Sequence, residues 1–171
     1  GLCLRQHVPQ KAGLTPARQR SCAIFGSNSP KWGGKLSEEQ RIFKKTVHDF
    51  ADQRLAPLVK AWDEQGAFMD RKTLTQYAEM GLLGISLPET YGGGGLSSFE
   101  AILAIEELAR VSPIAAAPVF ETSVGPIRVV HLFGTEEQKR RFLPLSCTGE
   151  KLMAVAMTEP GAGSALTDLT T

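Results

Sequence analysis

Cysteine, tryptophan and tyrosine are scarce, with 3, 2 and 2 copies in 171 residues. Cys3, Cys22 and Cys147 are odd in number and widely spaced, with no Cys-x-x-Cys pair, which argues against both a disulfide framework and a zinc site. His7, His48 and His131 have no ligand partners nearby in sequence and read as solvated or structural histidines, so no metal is expected. No apolar run approaches the roughly 20 residues that a membrane helix needs. The longest, Ile114 to Val130, is broken by Pro118, Glu121, Pro126 and Arg128, so no membrane span is expected. Tyr91-Gly92-Gly93-Gly94-Gly95 lacks the Gly-Lys-Ser/Thr that would make it a P-loop, and it reads as a flexible connection.

Acidic residues are absent from positions 1–36, where Arg5, Lys11, Arg18, Arg20, Lys31 and Lys35 stand alone. An Arg-rich, acid-free stretch has the composition of a mitochondrial transit peptide, and Arg18-Gln19-Arg20-Ser21-Cys22 would be a reasonable cleavage neighbourhood. A linker or a translated upstream sequence without a role fits the same residues. The first methionine is Met69, so the natural start is expected outside this sequence or altered within it. The formal net charge is +1, but downstream of residue 36 all eighteen acids meet only thirteen of the nineteen Lys and Arg residues. A net-acidic body gives no reason to expect nucleic-acid binding.

What is present is helical periodicity. Ser37 with Gln40 forms a capping-box pattern ahead of an apolar row of Phe43, Val47, Phe50 and Ala51, and Pro57 should end or bend that helix near Ala56. A second helix is expected from Arg71 to Met80 with Gly81 as its C-terminal cap, followed by the aperiodic apolar passage Leu82–Pro88. A third starts after Ser97 or Ser98, with Phe99, Ile102, Leu103 and Leu108 or Ala109 expected inside and Glu106, Glu107 and Arg110 outside. A fourth, from about Ser112 to Phe133, is apolar on most sides and should be buried. Thr135 caps a fifth, whose early Glu136 and Glu137 and later Lys139, Arg140 and Arg141 complement the helix dipole. The fold class is therefore mainly α, a helical bundle domain over residues 37–149.

Beyond Gly149 the pattern changes to a strand-length apolar run, Leu152–Met157, ending in Thr158-Glu159-Pro160-Gly161-Ala162-Gly163-Ser164. Residues 150–171 are expected to open a β domain whose remainder is missing, because a lone strand or hairpin is marginal in water.

The stretch Ala156–Ser164 resembles the flavin-contacting signature of the acyl-CoA dehydrogenase family. Further family-like pieces lie upstream in order: Leu87-Pro88-Glu89-Thr90-Tyr91-Gly92-Gly93, Ile105-Glu106-Glu107-Leu108-Ala109, Phe133-Gly134-Thr135-Glu136-Glu137-Gln138-Lys139, Leu143-Pro144 and Gly149-Glu150-Lys151. The resemblance covers about Leu36 to Thr171. It implies a helical N-terminal domain, a central β domain and a C-terminal four-helix bundle, of which this chain would supply the first domain and the first strand of the second. It also implies FAD as cofactor, an acyl-CoA substrate, an electron-transfer flavoprotein as partner, and a homo-oligomer, dimer or tetramer, when full length. The compartment would be the mitochondrial matrix if residues 1–36 are a transit peptide, and otherwise a bacterial cytoplasm.

On that resemblance the backbone of Val155 and Met157 would lie along the flavin ring. Thr158 can offer a hydroxyl and an amide to the ring edge. Gly161 and Gly163 permit positive φ and close approach by a ligand, and successive amides in such a turn make a concave anion site. Ser164 would bind the FAD diphosphate and touch the acyl-CoA. The family commonly has Asp after Gly-Ser, where a carboxylate could cap the turn's amides; this chain has Ala165. The implied reaction is α,β-dehydrogenation, with a glutamate taking the α-proton while the β-hydride passes to the flavin. That glutamate is expected beyond Thr171, so no catalytic residue is assigned, and Glu159 reads as a solvated turn residue. An acyl-CoA oxidase of the same fold and a non-catalytic helical interaction module are the alternatives.

Overall fold

The computed structural model describes residues 35–66 and 68–171. The expectations of a leader over residues 1–36, and of roles for Cys3, Cys22 and His7, fall almost wholly outside them. Helix α1 (Glu38–Phe50) starts at Ser37, whose Oγ accepts from the Gln40 amide at 3.1 Å while Gln40 Oε1 accepts from the Ser37 amide at 3.0 Å. The chain does not break at Pro57. Instead Ala51–Leu55 widen into a π-helical turn in which the Ala56 amide reaches back five residues to the Ala51 carbonyl. A ring without an N–H collides with the ordinary four-residue ladder, and the wider turn takes up the strain. Helix α2 (Ala56–Gln65) follows directly.

Helix α3 (Arg71–Glu79) is capped by Asp70, which accepts from the Thr73 amide at 2.7 Å, and Gly81 follows it at φ +67°. Helix α4 (Ser98–Val111) has a capping box between Ser97 and Glu100. Its buried face differs from the expected one. Ala101, Leu103, Ala104, Glu107 and Leu108 are inside, whereas Phe99 and Ile102 are half exposed. Contact between α4 and its neighbours α1 and α5 runs along small residues, with Ala101 and Ala104 on α4 and Ala115 and Ala116 on α5. Close approach of two helices therefore displaces the bulky side chains to the opposite face.

The expected fourth helix is two. Helix α5 (Pro113–Ser123) stops where the amides of Val124 and Gly125 both turn to the Phe120 carbonyl, at 3.0 and 2.7 Å, and Pro126 brings no amide to continue the ladder. Helix α6 (Ile127–Phe133) buries only Ile127; Val129, Leu132 and Phe133 stand exposed. Helix α7 (Glu136–Cys147) begins with the expected Thr135 cap, here a full capping box with Gln138.

The main core joins Val47, Phe50, Leu55, Trp62, Leu74, Tyr77, Leu83, Leu108 and Val119, and a smaller one joins Leu87, Ile127, Leu143 and Cys147. Tyr77 is fully buried, edge-on to Phe50 with ring centroids 5.3 Å apart, and donates to the Ala115 carbonyl at 2.8 Å. Between α3 and α4 the apolar passage is neither helix nor strand, yet Leu82, Leu83, Ile85 and Leu87 are buried. Its backbone is satisfied from two sides. Thr122 Oγ1 accepts from the Gly84 amide at 3.2 Å, Ser123 Oγ accepts from the Ile85 amide at 3.0 Å, and Ser86 Oγ donates to the Ser123 carbonyl. From the other side the amides of Gly94, Gly95 and Leu96 donate to the carbonyls of Gly84, Leu87 and Ile85 at 3.0, 2.8 and 3.0 Å. The glycine run is thus a packed partner of this passage rather than a flexible connection. A Cβ on Gly93 would sit 2.3 Å from the Leu87 carbonyl oxygen, so only glycine lets the two segments meet.

Glu107 is buried between α1 and α4 and is not the outward residue its neighbours suggest. Its carboxylate receives His48 Nδ1 at 2.8 Å, Lys44 Nζ at 3.3 Å and Arg110 Nε at 3.4 Å, while Arg110 also holds Asp52 at 2.6 Å. Burial alone would raise the Glu107 carboxyl, but the hydrogen bonds and charges of His48 and Lys44 outweigh it and hold it below the ordinary value. Among the described residues Leu152–Met157 has no strand partner, and the one β pairing is an isolated antiparallel bridge between Glu159 and Ala162. Strand hydrogen bonds come from a neighbouring strand, and none lies alongside.

Two outcomes follow. Thr122→Val keeps the shape but leaves the Gly84 amide without an acceptor, and should cost about 1–3 kcal/mol by urea unfolding. Because Glu107 has a depressed folded pKa, its contribution is fully present above the unfolded carboxyl value near 4.5 and is lost as pH falls below it. Glu107→Gln should therefore lower the thermal midpoint at pH 7, and the drop should shrink as pH is taken down through the acid range below 4.5; a drop that stays the same across that range would contradict the ionic role.

Candidate functional site

The family-like turn is delivered by the way α7 ends. Gly149 lies at φ +69°, a backbone that favours glycine, and a Cβ there would press to 2.9 Å on the tip of the Leu83 side chain. The Lys151 amide returns to the Leu145 carbonyl at 3.0 Å, and Arg71 at the start of α3 donates to the Gly149 and Glu150 carbonyls at 2.5 and 2.8 Å. Leu152 then packs on the main core and Met153 on the smaller one. Beside Met153 lies an open groove of about 270 Å³, lined chiefly by Val129, Val130, Phe133 and Phe142.

After Met153 the chain leaves its own core. Val155 and Met157 are 51% and 54% exposed, and Thr158, Gly163 and Ser164 are exposed as well. The turn closes through two backbone bonds, Glu159 amide to Ala162 carbonyl at 3.0 Å and the reciprocal bond at 3.1 Å, with Pro160 and Gly161 at its tip. Ala162 is buried and anchors it. The five residues assigned to cofactor contact thus share one short exposed segment. Neither the Thr158 nor the Ser164 hydroxyl has a hydrogen-bond partner among the described residues, and the Gly163 and Ser164 amides are also unspent.

Three details differ from expectation. Gly161 and Gly163 do not use positive φ, and nothing lies within 4 Å of where a Cβ would stand on either. Neither the fold's own backbone nor its packing demands these glycines. Glu159 is not simply solvated. Its carboxylate accepts from the Thr171 amide at 3.1 Å and from both the Thr170 amide and hydroxyl at 2.9 Å, tying the end of the chain to the turn. The Thr171 bond first, then those of Thr170, hold the carboxyl down at about 2, far from the value a general base needs near neutrality. Ala165, where a carboxylate would be usual, begins the short 3-10 turn Leu166–Asp168 without any side-chain cap.

One titratable group escaped notice in the sequence, where Glu121 is merely an interruption of an apolar run. On α5 one of its carboxylate oxygens is buried without a partner, and burial raises its pKa. An isolated acid in so apolar a helix was the available signal.

A flavin asks for donors at its ring edge, apolar cover for its face and amides for its diphosphate. The unspent donors of Thr158, Gly163 and Ser164, with the uncovered side chains of Val155 and Met157, fit that group.

Comparison with known proteins bears on the family. A family model described as "Acyl-CoA dehydrogenase, N-terminal domain" matches residues 37–150. Isobutyryl-CoA dehydrogenase, mitochondrial, of Dictyostelium discoideum is 36% identical over 169 residues, covering 98% of this chain and 39% of that protein. The structure of butyryl-CoA dehydrogenase from Megasphaera elsdenii superposes with TM-score 0.71 at 34% identity, over 81% of this chain and 37% of that one. An acyl-CoA dehydrogenase of Bacillus anthracis solved with FAD superposes with TM-score 0.70 at 39% identity, over 79% of this chain and 23% of that one. The chain therefore spans well under half the length of these proteins. With a family model matching residues 37–150, the chain belongs to the acyl-CoA dehydrogenase family.

Proposed function

We propose that this chain serves as the N-terminal part of an FAD-dependent acyl-CoA dehydrogenase that passes its electrons to an electron-transfer flavoprotein. The observation that carries this reading is the exposed Val155–Ser164 segment, which projects apolar side chains and unspent donors away from its own core. When bound, FAD would supply the hydride acceptor for dehydrogenation of the acyl-CoA. Thr158 would donate to the edge of the ring, the backbone of Val155 and Met157 would lie along it, and Gly163 and Ser164 would donate to the diphosphate, with Ser164 also against the acyl-CoA. Each neutral bond is worth about 0.5–1.5 kcal/mol net, so the segment acts as a set. Glu159, an anion already bonded to Thr170 and Thr171, keeps the turn shut and takes no proton. The α-proton goes to a glutamate supplied elsewhere than in these 171 residues.

On this reading residues 1–36 are the leader, 37–149 the helical domain and 150–171 the opening of the β domain, and the whole protein is a homo-oligomer. The acid-free leader and the mitochondrial relative support a matrix location.

The protein purified from its own cells should carry one flavin per chain and oxidise a short acyl-CoA far faster with electron-transfer flavoprotein than with oxygen. Residues 1–171 alone should emerge colourless. Absence of flavin from the native protein would refute the assignment, and equal turnover with oxygen would place it among the oxidases.

A further inference from the structure

Arg71 is the first residue of α3, yet its guanidinium reaches a peptide 78 positions later. A single nitrogen, Nη1, donates to two consecutive carbonyls, Gly149 at 2.5 Å and Glu150 at 2.8 Å. These carbonyls lie just past the C-terminus of α7, where helix carbonyls lack intrahelical donors and a cation is favoured. Pinning two successive carbonyls also does more than cap a helix. It fixes the planes of two adjoining peptides, and with them the direction in which the chain departs. Gly149, confined at φ +69° against Leu83, and the Lys151 amide on Leu145 complete the exit.

Downstream of Met153 no backbone hydrogen bond holds the segment until the Glu159–Ala162 bridge. The exit therefore sets the direction in which the chain enters the segment, and the buried Ala162 with the Glu159–Ala162 bonds sets its far end. We propose that Arg71 is a positioning residue for the flavin: by holding the Gly149 and Glu150 carbonyls it aims the Val155–Ser164 segment at the cofactor, although it touches neither flavin nor substrate. This rests on the reading of that segment as flavin-contacting.

The test uses the protein expressed from its complete gene, with Arg71→Met, which keeps an apolar stem but loses both donors, and Arg71→Lys, which keeps the charge. A glutamate-specific protease must draw the Glu150 carbonyl into its own active site, and Arg71 occupies that carbonyl. Arg71→Met should speed cleavage after Glu150 roughly tenfold, the loss expected for one charge-assisted hydrogen bond, without speeding cleavage after Glu39 or Glu64. It should weaken flavin retention by a similar factor while the thermal midpoint of the flavin-free protein stays within a few degrees, and Arg71→Lys should fall between. Unchanged cleavage at Glu150, faster cleavage at all three sites together, or unaltered flavin retention would each overturn the proposal. If the unsubstituted protein holds no flavin, the functional reading fails first, and cleavage at Glu150 still decides whether Arg71 governs the exit.

Discussion

A backbone that is buried without being helical or paired in a sheet must find a partner for every amide and carbonyl, because an orphan in the interior costs about as much as a whole hydrogen bond contributes. That requirement organises this unit. The Gly84–Leu87 passage lies among fully buried side chains, so α5 has to end in Thr122 and Ser123, whose oxygens take its amides. The run Gly92–Gly95 has to fold back so that its own amides reach the carbonyls. Helix α3, helix α5 and the entry to α4 are thereby tied to one another through the main chain of this passage and the hydroxyls that meet it, and packing of Tyr77 against Phe50 and Ala115 is layered on that frame.

The second tie is electrostatic. Glu107, shielded from water, could not remain ionised unless donors and cations met it, and α1 provides the Lys44 ammonium and the His48 ring one turn apart while Arg110 comes from α4 itself. Charge compensation of this kind fixes which faces of α1 and α4 can meet, since sliding either helix by a turn would strand the carboxylate.

Legibility followed locality. The caps at Ser37, Ser97 and Thr135 and the stop at Gly81 depend on residues within one turn, and all are plain in the sequence. The terminal turn is likewise a local pattern, so its residues could be named before their surroundings were known. Illegible features are those decided at a distance. Phe99 and Ile102 read as core because large apolar side chains usually are, but closeness to α5 favours the alanine row instead. Glu107 read as outward because its cations stand about sixty positions earlier. Leu152–Met157 has strand composition, yet a strand is a relation between segments and not a property of one. The split at Gly125-Pro126 was within reach; the surrounding alanines and valines masked it.

The widened turn at Ala51–Leu55 has a bearing on how this helix can vary. Each residue of an α-helix advances about 100° around its axis, so one extra residue in a turn resets every side chain that follows. Trp62 is buried in the register that the five-residue turn sets. Deleting a single residue there would rotate all that follows by about 100° and swing that indole out of the main core. The number of residues in this turn therefore sets the phase of α2, quite apart from the identity of the residues that fill it.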